Sequence, residues 1–84
     1  MNDPFIREQA RHFAARVLSE APDGKPAQVN RAYKLAFGRA PSSSERDAAL
    51  SFLHSPDSDP EANRQRMVNF CQVLFTLNEF MFVD

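Results

Sequence analysis

Apolar residues recur along this chain at steps of three and four, the spacing of one face of an α-helix. No stretch alternates apolar and polar positions long enough to predict a strand. Four helices follow from the pattern. The first covers residues 3–20, with Asp3 as N-cap and Pro4 in the first turn, where a missing N–H costs nothing. Ile6, Ala10, Phe13 and Val17 form its stripe, and Ala21-Pro22-Asp23-Gly24 stops it. The second covers about 26–37, with Val29, Ala32, Tyr33, Ala36 and Phe37 turned inward. Gly38 is placed for the left-handed residue that closes a helix, and Pro41 blocks resumption.

The third helix opens on Ser42, whose spacing to Glu45 fits a capping box, and Asp47 adds negative charge near the positive end of the helix dipole. Ala49, Phe52 and Leu53 face inward with Leu50 alongside, and His54-Ser55-Pro56 ends it. The fourth begins at Asp59-Pro60-Glu61, a second pairing of N-cap and early proline. Met67, Phe70, Cys71, Leu74 and Leu77 make the strongest stripe in the chain. Val68, Val73 and Phe75 lie off that stripe, so this helix is apolar over much of its circumference and is expected at the centre. Residues 1–84 are thus expected to form one all-α domain, a small bundle or orthogonal array of about four helices. Its expected core is Phe13, Val17, Tyr33, Phe37, Phe52, Leu53, Phe70, Leu74 and Leu77.

Composition narrows the possibilities. The chain has 84 residues, 43% apolar and 25% charged, enough for one compact core and too apolar for intrinsic disorder. A formal net charge of -1 speaks against nucleic acid as partner. The charge is uneven, however: seven basic and four acidic side chains up to residue 40, three and seven after it. Cys71 is the only cysteine, which excludes an internal disulfide. No apolar run reaches the roughly 18 residues of a membrane span. Met1-Asn2-Asp3-Pro4-Phe5 does not open a signal peptide, so a cytoplasmic location is expected if the chain is a complete gene product.

Candidate chemistry is sparse. His12 and His54 share no metal-binding spacing, and Cys71 sits on an apolar helical face as a structural cysteine would. The acidic loop Asp57-Ser58-Asp59-Pro60-Glu61 resembles the opening of a calcium loop. It has Ala62 where the loop needs glycine and Val68 where it needs the bidentate glutamate. No metal, no cofactor and no catalytic set is therefore expected. Helix 2, the Gly38 turn and helix 3 have the lengths of a DNA-binding helix-turn-helix, the alternative reading. Its recognition helix would open with Glu45 and Asp47 and offer phosphate only Arg46. A small enzyme is the third class, and a concave pocket with several titratable groups around His12 or Glu79 would point to it.

Two features call for another explanation. Gly38-Arg39-Ala40-Pro41, followed by Glu45, reads as an architectural elbow. Arg39 is placed near the last carbonyls of helix 2, and Asn78 and Glu79 are candidate partners for its guanidinium. The second feature is an apolar surplus. Phe75, Phe80, Met81, Phe82 and Val83 exceed the stripe of helix 4, and Phe5 exceeds that of helix 1. Phe5, Phe75, Phe80 and Phe82 are the expected interface with another protein, either a second copy or the remainder of a larger chain. The competing arrangement folds Phe80 and Phe82 back over the open end of the bundle. The leading functional reading is a structural or protein-interaction module.

The segment Arg31-Ala32-Tyr33-Lys34-Leu35-Ala36-Phe37-Gly38-Arg39-Ala40-Pro41, with Glu45 beyond it, resembles the RxYxLxxGRxPxxxE stretch near the C-terminus of planctomycete DUF1553 (PSD1) proteins. The chain's end, from Phe70-Cys71 through Asn78-Glu79-Phe80 to Val83-Asp84, is similar to that family's terminal LCxxLLNxNEFxYVD. The resemblance implies a helical C-terminal piece of a larger protein, whose full-length members often carry a cytochrome-c-like module or a DUF1549 region. The haem-attachment motif of such a module does not occur in this chain, so redox activity does not carry over.

Overall fold

The computed structural model describes residues 3–56 and 59–79, with only the backbone of 78 and 79. Its four helices are α1 (Pro4–Glu20), α2 (Lys25–Phe37), α3 (Ser43–Leu53) and α4 (Pro60–Glu79), and the described residues contain no strand. The fold is all-α, a small helical bundle.

Local chemistry sets the helix ends where the sequence places them. Asp3 is extended and its Oδ1 accepts from the Phe5 N–H at 2.9 Å, ahead of Pro4 in the first turn. Ser42 and Glu45 complete a reciprocal capping box: Glu45 N–H donates to Ser42 Oγ at 3.2 Å, and Ser42 N–H donates to Glu45 Oε1 at 2.8 Å. Asp59 Oδ1 accepts from the Glu61 N–H at 3.2 Å as α4 begins. Gly38 closes α2 in the left-handed region at φ 72°, donating its N–H to the Lys34 carbonyl at 2.9 Å.

The core is one cluster drawn from all four helices. Ala10, Ala14 and Val17 come from α1, Val29, Ala32 and Tyr33 from α2, and Ala49 and Leu53 from α3. From α4 come Met67, Val68, Phe70, Cys71 and Leu74. Phe13 and Phe37 pack on this cluster half-buried. Phe13 meets the Phe75 ring at 5.2 Å, joining α1 to α4, and small alanines on α1 let the two helices lie close.

Two members of the expected core are corrected. Phe52 is 44% exposed and Leu77 48% exposed. Period alone fixes a helix's apolar arc but not which edge of that arc a neighbour covers. On α3 the covered edge runs through Ala49 and Leu53, and on α4 it turns toward Val68, leaving Leu77 at the margin. The central position is also shared. The backbones of α2 and α4 approach every other helix, while those of α1 and α3 stay apart among the described residues, and α1 against α4 is the largest pairing.

Candidate functional site

The turn between α2 and α3 gathers side chains from residues 33–45 around one guanidinium. Gly38 reverses the chain, and Ser42 starts α3 with its third residue, Glu45, pointing back. The Arg39 guanidinium grips that carboxylate as a fork, Nη1 to Oε1 at 2.8 Å and Nη2 to Oε2 at 3.0 Å. Nη1 also donates to the Ala40 carbonyl at 3.0 Å. The same guanidinium stands 5.7 Å from the Tyr33 ring centre and 5.6 Å from that of Phe37, within cation–π range.

Glu45 therefore serves two partners, the Ser42 amide and Arg39. The Arg39 fork, followed by the Ser42 amide, pulls its carboxyl from the ordinary 4.5 down to about 2. The bond to Glu45 raises Arg39 in turn. Tyr33 is pushed up, chiefly by burial and secondarily by the Glu45 charge. The capping role of Glu45 is legible from spacing, but its hold on Arg39 is not, since no periodic rule relates residues 39 and 45 across a turn. Nor does Arg39 turn back to cap α2: the Lys34 carbonyl is taken by Gly38, and the guanidinium reaches forward. The side chains of Asn78 and Glu79, its other candidate partners, lie outside the described residues.

Beside this elbow lies a groove of about 260 Å³ between α3 and α4. Tyr33 and Glu45 belong to its wall, with Phe52, Phe70, Val73 and Leu77. The rings of Phe52 and Phe70 meet at 6.0 Å. Phe52, Val73 and Leu77 are all nearly half exposed there, which makes a contiguous apolar surface. A neighbouring depression continues past Phe52 and Val73 over Asn69, Gln72 and Thr76. Phe52, Val73 and Leu77 are not among the residues expected at an interface from the sequence. Phe75 is turned onto the core against Phe13. Phe5 is exposed at the start of α1, with 67% of its surface open. Phe80 and Phe82 lie outside the described residues.

Several charged side chains elsewhere form surface pairs. Glu20 holds Arg16 at 2.8 Å and reaches across to Arg31 of α2, whose Nε donates at 2.7 Å. The two arginines, Arg16 first, lower the Glu20 carboxyl. Arg11 pairs with Glu8 on α1 and Arg64 with Glu61 on α4. His12 Nε2 stands 3.2 Å from Glu8 Oε2, and the shallow depression beside His12 adds Gln9, Phe13, Arg16 and Phe75. No nucleophile stands beside that histidine in the depression, and no three His, Cys, Asp or Glu side chains among the described residues gather as metal ligands. Cys71 is buried in the core, and burial pushes its thiol up to about 12. The acidic loop that resembles a calcium site falls partly at residues 57 and 58, outside the described residues; Asp59 within it caps α4. None of the described helices is long and apolar enough to cross a membrane.

Residues 1–53 match the model of a family described as PSD1, protein of unknown function (DUF1553), and the chain belongs to that family. No curated protein matches the chain. No solved structure matches it either.

Proposed function

We propose that this member of the DUF1553 family is a non-catalytic helical module that binds another polypeptide through the groove between α3 and α4. The supporting observation is the apolar surface made by Phe52, Val73 and Leu77, three side chains near half exposure on one face. Large apolar side chains scattered singly need no explanation, whereas a contiguous group along a groove marks a surface that another chain covers. The elbow supports this reading as scaffold. With Arg39 forked onto Glu45 and laid against Tyr33 and Phe37, the wall of the groove at Tyr33 and Glu45 is held in place. Residues 1–84 act as one unit in this reading, and the partner is a second copy or the remainder of a larger chain.

A charge placed in the groove tests it. Val73→Asp lies on an exposed face of α4, so helix content should be retained. Sedimentation velocity is run on the chain at rising concentration, alone and mixed with the remainder of a longer DUF1553 chain. The wild type should associate in one of the two settings, and Val73→Asp should lose that association. Association undiminished by the charge, or absent in both settings, counts against the reading.

A further inference from the structure

We propose that the groove between α3 and α4 takes a short extended segment of another polypeptide, anchored by one aromatic side chain, and not the folded face of a second copy. The proposal rests on the reading of that groove as a docking surface and names the chemistry of the partner.

Size is the first argument. Phe52, Val73 and Leu77, each near half exposure, open on the order of 200 Å² of apolar surface. A stable interface between folded domains takes about 800 Å² from each partner, whereas one aromatic side chain buries about 150–250 Å². The groove's volume of about 260 Å³ also falls below the roughly 300–1,000 Å³ of pockets that enclose a drug-sized molecule. The seat is therefore the size of one large side chain. Its walls favour a ring. Phe52 and Phe70 stand tilted at 48° with centroids 6.0 Å apart, and Tyr33 adds a third ring to the lining. A ring from the partner, set edge-to-face against these, gains contact beyond simple area burial.

Polarity is the second argument. Phe52 and Val73 also line the neighbouring depression, whose other members, Asn69, Gln72 and Thr76, are polar. The apolar surface thus ends one side chain away from the seat, and a backbone carrying the anchor crosses amide and hydroxyl groups. One of these amides is unmet: Gln72 Nε2 is shut off from water and has no acceptor among the described residues. The last torsion of a glutamine is broad, so this amide can turn toward a chain lying in the depression. A peptide carbonyl is the acceptor it lacks. An extended segment has carbonyls to offer, whereas a helix engages its own internally.

The test titrates the full 84-residue chain, carrying labelled methyl groups, with a capped pentapeptide that holds one phenylalanine between glycines. Ring-current shifts of the Val73 and Leu77 methyls are expected, while the methyls of Val17 and Val29, buried in the core, stay in place. The same peptide with alanine in place of phenylalanine should bind about tenfold more weakly. Gln72→Met removes an amide that lacks a partner, so thermal stability should hold or rise while peptide affinity falls about fivefold. Unmoved methyls, equal binding of the two peptides, or unchanged affinity in Gln72→Met overturns the proposal. Contacts from the chain's own residues 80–84 that keep the peptide out overturn it as well. If the peptide leaves the methyls unmoved while Val73→Asp still abolishes association, the groove meets a broader folded face, and the docking reading stands without this inference. If neither the peptide nor Val73→Asp has an effect, both readings fall.

Discussion

Replacing Glu45 with glutamine separates two jobs that one carboxylate performs at the elbow. Glutamine keeps a carbonyl oxygen able to accept from the Ser42 amide, so the capping box can persist. It removes the charge and the second oxygen that complete the fork with Arg39. The carboxyl is held at about 2 instead of 4.5. Unscreened, that difference corresponds to about 3 kcal/mol of stability at neutral pH. The Glu45 side chain is 35% exposed, so water and salt reduce this heavily, to about 1 kcal/mol. For a depressed carboxyl the unfolded chain takes up protons first. The contribution is therefore complete above about 4.5 and disappears as pH falls toward about 2. Urea unfolding of wild type and Glu45→Gln across this range measures it. At neutral pH the variant should be weaker by about 1 kcal/mol, or about 4–8 °C in melting temperature for a domain of this size. The gap should close as acid protonates the wild-type carboxyl. A gap that stays constant with pH, or no gap at neutrality, refutes the assignment of this stability to the ionised fork.

Phe70→Ala empties a buried aromatic site under the groove and should cost about 3–5 kcal/mol by chemical denaturation; a loss below about 1 kcal/mol would show that the site is not packed as described. Gly38→Ala meets no neighbouring atom but must hold φ 72°, so it should destabilise by about 1 kcal/mol with an unchanged circular dichroism spectrum. A neutral or stabilising result would mean that the elbow relaxes.

The helix ends were the most legible part of the sequence because each depends on residues within one turn. Asp3, Ser42 with Glu45, and Gly38 act through their own backbone, with no need of tertiary context. Inward faces were legible only to the width of an arc. Ala14 and Val68 joined the core because α1 and α4 approach closely, a distance that periodicity does not encode. Phe52 and Leu77 fell outside it for the complementary reason: no described helix covers that flank. The Arg39–Glu45 fork and the Arg31–Glu20 bridge escaped because both cross turns, where separation along the chain says little about separation in space.

The pairing of α1 with α4 joins the two sequence extremes of the described bundle, and the family match stops at residue 53, before α4 begins. Anyone trimming an expression clone to the matched boundary would remove the main cover of Ala10, Ala14 and Val17 and turn the apolar stripe of α1 into an aggregation surface. On the ribosome the same arrangement delays completion of the core until α4 has emerged. Until then the apolar stripe of α1 lacks its main cover, and a truncation inside α4 leaves that stripe open again.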